Sequence, residues 1–507
     1  MRANFWLTRK WLLVFSILFL GVMEARADIQ LSDTFSVTGF LRHQLAVHTG
    51  ETNPNNAPPN DTKQTDRNIL NLSRTFFQTE WTYLPNDTFK LYSKVKLISD
   101  QTEALDGDLK EYNAFPLGTP RYGTYLRATD DKDLNAEMSE LYADVSLGNL
   151  WVRLGKQQIV WGEMISSRIL DIINPLDLSW HFQFEPEEFE NIRVPQWALR
   201  ARYNAPQIMP LRWLKDVYLE GFVNPGDVSP QVFPAPGSPY NVKPSPRPFP
   251  PTPQFRATEK DRRGEAEYGF RIGGGVGQVF GTLNYLSLYS KTGYWESKPR
   301  VNNVGPPNSA NPFLVDNKYP RTDLYGASLN YSFPFPINTT VTFEGLLSPD
   351  EPYQKKNDTP TELPSILYKE TKKWAVRFDR STFVLPRPIS AMMIQLQYSQ
   401  TLVEDNGQIK STPAPYGQSS NAIDSAQNTI TLNLSQDLWH NNINLSFLAV
   451  YDLDDAHYIR PGFKYKIGNH WIFDIYGVIL GGAEARTGRF ASMYWADEVF
   501  GRVTYQF

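Results

Sequence analysis

From residue 28 onward the chain has no uninterrupted apolar run of the roughly 20 residues that a membrane helix needs. Apolar and polar residues instead take turns along segment after segment. Ile443, Leu445, Phe447, Ala449 and Tyr451 fall on one face of a strand, with Asn442, Asn444 and Ser446 on the other. Leu141, Ala143, Val145 and Leu147 oppose Glu140, Asp144 and Ser146 in the same way, as Trp197, Leu199, Ala201 and Tyr203 oppose Arg200 and Arg202. A strand apolar on one face only needs an apolar medium on that side and water on the other. A soluble sandwich and a lipid-embedded barrel both meet that need.

Connection lengths separate the two. Counted from Phe35, the links after even-numbered strands are mostly short, as at 148–149, 273–277 and 468–470, and those after odd-numbered strands are mostly long, as at 48–68, 100–138, 161–194 and 224–263. Tight turns alternating with long loops are the mark of an outer-membrane barrel, with its short periplasmic turns and long extracellular loops. A sandwich has no reason to keep that order. The pattern predicts an all-β fold, a transmembrane antiparallel β-barrel of about 18 strands; sixteen follows if the weak pair around Val217 is miscounted. Residues 28–507 then form a single barrel domain in the outer membrane of a Gram-negative bacterium. Ahead of it, Arg2, Arg9 and Lys10 precede an apolar run at 11–22 and the small residues of Ala25-Arg26-Ala27, the pattern of a secretory signal peptide over 1–27.

Aromatic residues fit a membrane setting. Tyr83, Trp151, Trp213, Trp439 and Trp471 all flank short links, as a girdle at headgroup level requires. Val499, Gly501, Val503, Tyr505 and Phe507 form one apolar face ending in a terminal Phe. This is similar to the last strand that the barrel-assembly machinery recognises, so the bilayer and that machinery, through Tyr505 and Phe507, are the expected partners. With no Cys there is no disulfide, Cys-type zinc or iron–sulfur site, or covalent c-type haem. A net charge of −4 argues against a nucleic-acid binder. No HExxH, GxSxG or phosphate-cradling GxxxxGK[ST] occurs, so neither an enzyme, a cofactor nor a metal is expected.

Barrels of 16–18 strands leave an aqueous channel. Alternation places Lys90, Lys94, Lys96, Asp144, Arg153, Arg200, Arg202 and Arg271 on its wall. The two-residue turn Gly148-Asn149 sets Asp144 across from Arg153 as a stabilising pair. Two readings of this wall stand: an internally neutralised lumen, or a basic track that favours anions, since rings of Lys and Arg select them.

The densest unusual segment reads LGKQQIVWGE, then DIINPLDL, then a Glu-rich stretch, then NIRVPQWALRARY. Gly155-Lys156-Gln157, Trp161-Gly162-Glu163, Asn174-Pro175 and Asp177 resemble the shared pattern of a proteobacterial outer-membrane β-barrel family of uncharacterised function within the porin-like superfamily. Lys156 stands where Arg is commoner. The resemblance covers residues 154–202 and implies transport or export without naming a cargo. This stretch holds a strand, a candidate constriction loop and the next strand. Glu163, Arg168, Asp171, Asp177, Glu185, Glu187, Glu188, Glu190 and Arg193 are available to set the loop's charge; on the alternative reading Trp161 and Pro195 anchor a packed loop. Carboxylates ringing a pore favour cations, so wall and loop point to opposite selectivities. The Pro-rich stretch 224–253 excludes regular structure and favours an extended conformation, an exposed extracellular loop or a partner-binding arm.

Three functions follow in order. The first is a porin-like channel for passage or export of small hydrophilic or amphipathic solutes. The second is a sheath or docking scaffold around a partner protein, such as a multihaem cytochrome or a secretion component. The third is an outer-membrane hydrolase, for which no residue set stands out.

Overall fold

In hydrocarbon each unpaired backbone N–H or C=O costs several kcal/mol, so a sheet survives there only without edges. The computed structural model meets this condition. It describes residues 29–50, 53, 70–105, 126–127, 133–178, 189–206, 213–226, 231–232, 234, 238–240, 255–259, 265–298, 313–355, 365–385, 390–409, 424–453, 456–482 and 493–507. The segment 1–27 lies outside them.

Eighteen strands among the described residues close into one antiparallel barrel. They are β1 (Phe35–His48), β2 (Leu70–Asn86), β3 (Phe89–Asp100), β4 (Leu134–Leu147), β5 (Leu150–Gln157), β6 (Gln196–Asn204), β7 (Leu214–Asn224), β8 (Glu267–Val276) and β9 (Val279–Tyr289). They continue as β10 (Arg321–Phe333), β11 (Thr339–Gln354), β12 (Ile366–Thr382), β13 (Met392–Val403), β14 (Ala426–Leu438), β15 (Ile443–Asp452), β16 (Ala456–Ile467), β17 (Trp471–Gly481) and β18 (Glu498–Gln506). Each strand pairs with the next, and β1 pairs with β18 from Phe40 opposite Gln506 to His48 opposite Glu498, which closes the ring. All eighteen sequence-predicted strands are present, including the weak one around Val217. Ile29–Ser32 and Leu126–Arg127 add short flanking pairs, and Phe255–Glu259, Tyr294–Lys298 and Phe313–Lys318 form a separate small sheet.

The outer surface is the apolar half of the alternation. Leu45, Leu91, Leu154, Leu199, Leu219, Phe270, Leu283, Leu329, Phe378, Leu396, Leu445, Phe463, Ile475 and Val503 are all exposed. Exposed apolar side chains on nearly every strand are the lipid-facing belt of an outer-membrane barrel, and this places the protein in that membrane. Tyr83, Trp213, Trp439 and Trp471 are exposed beside the short links, as a girdle needs. Trp151 departs from the expectation. It shares a face with Arg153, two residues on, and so points into the lumen, where the guanidinium carbons of Arg153 and Arg200 lie 5.1 and 5.3 Å from its ring. At the C-terminus, Phe507 is buried in the notch left by Gly39, stacked on Phe77 at 6.1 Å, with its N–H donating to Gly39 O at 2.9 Å. One connection breaks the alternation of lengths: β15 and β16 are joined at the long-loop end by 453–455 alone.

Candidate functional site: the lumen and its inward-folded loop

The connection between β5 and β6 does not stay outside. Residues 159–173 run along the lumen face of the wall from β6 to β14. Ile159, Trp161, Met164, Ile169, Leu170 and Ile173 pack on Ala198, Phe222, Leu286, Leu288, Leu324, Leu346 and Ala375, all buried. Such an apolar patch on an inner wall would be costly facing water, and covering it is the physical reason for the loop's course.

Hydrogen bonds fix the rest. Trp161 Nε1 donates to Glu220 Oε1 at 2.9 Å. The N–H groups of Glu163 and Leu170 both donate to the Glu344 carboxylate, and Arg377 donates to Glu163 O. Farther round, Ile165 N donates to Gln397 Oε1 at 2.9 Å, and the hydroxyls of Ser167 and Ser166 meet those of Ser399 (2.8 Å) and Thr431 (2.5 Å). β14 stands nine strands from β5, halfway round the ring.

The sequence motif is the hardware of this docking. Buried Asn174 accepts from Ile159 N at 2.8 Å and donates to Val194 O at 2.9 Å, stapling the outgoing leg to the returning one. Asp171 accepts from Arg193 at 2.7 Å and from Arg168 at 3.4 Å. A Cβ at Gly162 would lie 2.4 Å from Asp171 N, so only Gly fits there. Gln157 Nε2 donates to Ala198 O at 2.9 Å, and Lys156 Nζ to Met138 O at 2.9 Å. Asp177 is buried, its N–H donating to Ile192 O at 2.7 Å. Glu185, Glu187 and Glu188 lie outside the described residues. Glu163 keeps its carboxylate exposed to the lumen, 3.5 Å from Asn330 Nδ2.

All eight wall residues read from the sequence are on the inner face, but they divide into groups. Asp144 faces Arg153 and accepts from its Nε and Nη2 at 2.6 and 2.8 Å, the bidentate pair that the turn predicted. Lys94 and Lys96 are buried under the returning leg of the loop rather than lining open water. Lys94 is shared by Glu80 (3.5 Å), Glu140 (3.4 Å) and Glu190, and Lys96 Nζ donates to Asn191 O at 3.5 Å. Burial alone would raise the Glu190 carboxyl, but the hydrogen bond from Lys94 and the charges of Lys94, Lys96 and Arg193 outweigh it and hold it below the ordinary carboxylate range. Arg200 and Arg271 converge on one carboxylate, Glu220, at 2.8 and 2.9 Å.

Glu220 and Glu344, the two carboxylates that seat the loop, were not among the residues singled out from the sequence. In β7 the inward positions include the aromatics Tyr218 and Phe222 beside Glu220, which blurs the polar face of the alternation. In β11 the run Thr340, Thr342, Glu344 is a regular polar face that does carry the signal.

A second inward fold occupies the extracellular end of β15–β18, β1 and β2. Met493, Trp495 and Ala496, from the last connection, and Tyr240, from the Pro-rich stretch, pack with Leu72, Val450, Tyr458, Val478, Leu480 and Phe500. Tyr240 Oη and Asn71 Nδ2 both donate to Glu498 Oε2, at 2.8 and 3.1 Å, and Asn53 Nδ2 donates to Pro239 O at 2.9 Å. Most of 224–253 lies outside the described residues. Those described near its middle, Val232, Ser238 and Tyr240, are buried rather than exposed: the Tyr240 ring fills a hydrophobic pocket of the wall, and the Val232 backbone bonds to Leu176 and Leu178 of the β5–β6 connection.

Among the described residues no group of His, Asp or Glu has the geometry of a metal site. Comparison with known proteins gives a fold likeness at low identity. Salmonella typhi OmpF, in a complex with daunomycin, matches with TM-score 0.39 and 9% identity over 95% of this chain and 100% of that one. Acinetobacter baumannii OccAB3 matches with TM-score 0.48 and 8% identity over 93% and 99%, and OccAB4 of the same organism with 0.48 and 9% over 94% and 99%. No curated protein matches the chain. A family model does match, over residues 22–507, and the chain therefore belongs to the family described as protein of unknown function (DUF1302).

Proposed function

We propose that the barrel is a porin-like channel through which small hydrophilic or amphipathic solutes pass. One observation carries the reading: the 159–173 loop is bound along half the inner circumference, while charged side chains on the wall toward its periplasmic side keep contact with water. Arg153, Arg200 and Arg271 retain 18, 16 and 13% of their side-chain exposure at the lumen surface. A lumen meant to be solid would bury such groups or replace them with apolar ones, since a buried ion pair gains little over well-packed hydrophobic residues. The docked loop takes up part of the lumen's cross-section.

The sheath reading is less well supported. The apolar inner surfaces a partner would need in the extracellular half are covered by the chain's own segments, 159–173 and 493–496. No catalytic role is assigned. Tyr505 and Phe507 serve, on this reading, as the assembly signal. Purified protein in a planar bilayer is expected to give stepwise ionic current, and proteoliposomes to swell in small sugars but not in large ones. Absence of both would overturn the channel.

A further inference from the structure

Below the docked loop, two cross-strand rows on β3–β8 carry five cations and two carboxylates. Cross-strand register sets Lys90, Asp144, Arg153 and Arg200 in one row, and Arg202, Glu220 and Arg271 in the next. Asp144 is engaged by Arg153, and Glu220 by both Arg200 and Arg271. Lys90 and Arg202 have no carboxylate partner among the described residues. Their contacts are with ring faces: Arg202 Cζ lies 3.9 Å from the Tyr218 centroid and Lys90 Nζ 5.4 Å from that of Tyr92. Arg202 Nε also donates to Asn204 Oδ1 at 2.9 Å. Neighbouring guanidiniums do the same, Arg153 Cζ standing 3.7 Å from the Tyr142 ring.

We propose that this stretch of the periplasmic half of the lumen is a binding site for a small organic anion, a carboxylate carrying an apolar or aromatic body; the proposal rests on the channel reading above. Stacking on a ring fixes the plane of a guanidinium and leaves its N–H edge for a carboxylate, whose two oxygens match that fork. The half-buried Trp151, set between Arg153 and Arg200, offers the apolar body a surface. A charged solute in a cleft of low-dielectric walls feels the local excess of one sign more than the net charge of the protein.

Among the described residues the loop does not cancel that excess. Asp171 is held by Arg193 and Arg168, and Glu190 by Lys94. Glu163, exposed like Glu190, sits against Asn330 of β10, two strands beyond β8. Toward the extracellular side the cluster of Glu80, Glu140 and Glu190 around Lys94 carries surplus negative charge and sets the upper limit of the site.

Bilayer recordings on the full-length mature protein test this. In a KCl gradient the wild type is expected to show a reversal potential on the chloride side. Benzoate is expected to reduce the current at lower concentration than acetate, with benzylammonium ineffective. Lys90→Glu combined with Arg202→Glu should lower the chloride-to-potassium permeability ratio several-fold. Arg202→Lys, which keeps the charge but loses the planar fork and its stacking, should retain chloride preference while weakening benzoate block several-fold. Current with potassium preference, or equal block by benzoate and benzylammonium, overturns the anion site and leaves the channel standing. No current from the wild type overturns both. Should the double variant fail to show the heat-modifiable migration of a folded barrel, the wild-type reversal potential and the benzoate–benzylammonium comparison still decide.

Discussion

The extracellular and periplasmic halves of the lumen are walled by the same eighteen strands, yet they solve opposite problems. In the upper half the inner wall is apolar at Leu286, Leu324, Leu346, Val478, Leu480 and Phe500, and the chain folds its own connections inward to cover it. In the lower half the inner wall is polar, charged along β3–β8 and mostly Ser, Thr, Asn and Gln from β9 to β14. The difference shows that inward-facing polarity is not uniform along a barrel strand: where it lapses, a loop covers the apolar patch and the polar side chains beside it fix the loop's course.

The sharpest break of this contrast is at Glu220, where the two halves meet. Glu220→Gln removes the one carboxylate shared by Arg200, Arg271 and the Trp161 indole, leaving two partly buried cations facing each other. A loss of about 3–5 kcal/mol is expected, as when one partner of a buried ion pair is removed. Thermal unfolding in detergent should show it, together with larger and noisier single-channel current as the loop loses its seat; an unchanged melting temperature would mean that the loop is held by its apolar face alone.

Asn174→Ala removes two hydrogen bonds that join the legs of the loop, an expected loss of about 2 kcal/mol at roughly 1 kcal/mol each. Because the wall is untouched, the barrel should remain folded while the loop becomes open to limited proteolysis. If the protease pattern matches wild type, Asn174 is not the staple. Tyr240→Phe keeps the ring in the upper cluster and deletes its hydrogen bond to Glu498, costing about 1 kcal/mol. Cleavage within 224–253 should quicken, and equal rates would show that packing suffices.

The smallest effect concerns Glu190. Its carboxyl is held below the ordinary range in the folded protein, so its contribution is complete above the unfolded value and is lost as pH falls through the depressed folded one. Current noise is expected to rise in that acidic window, and Glu190→Gln should abolish this pH dependence. A variant that keeps it would assign the titration to another carboxylate.

Much of this was legible in the sequence for a local reason. Side chains alternate across a strand, so Lys90, Asp144, Arg153, Arg200, Arg202 and Arg271 fall on the inner face wherever the register runs unbroken. The turn at Gly148, with its positive φ of 60°, fixes Asp144 opposite Arg153 without reference to anything distant. Trp151 was readable by the same parity, but its place beside a short link suggested the girdle instead. The Leu154–Arg202 motif marked the loop that folds inward, although its residues act by bonding to one another and to the wall more than by presenting charge to a solute.

The sequence by itself determined the closed barrel and its two faces, because each depends on periodicity or on the length of a connection; it left eighteen strands against sixteen, and the inward course of the 154–202 segment, for the tertiary structure to decide. Only the tertiary structure decided which charges are spent: Lys94 and Lys96 under Glu190 and Asn191, Arg200 and Arg271 on Glu220, and Lys90 and Arg202 against ring faces. It alone carried Tyr240 out of a Pro-rich stretch to Glu498. Such pairings join residues up to hundreds of positions apart, and they are set by the curvature of a ring and the volume inside it, quantities that no short window of sequence contains.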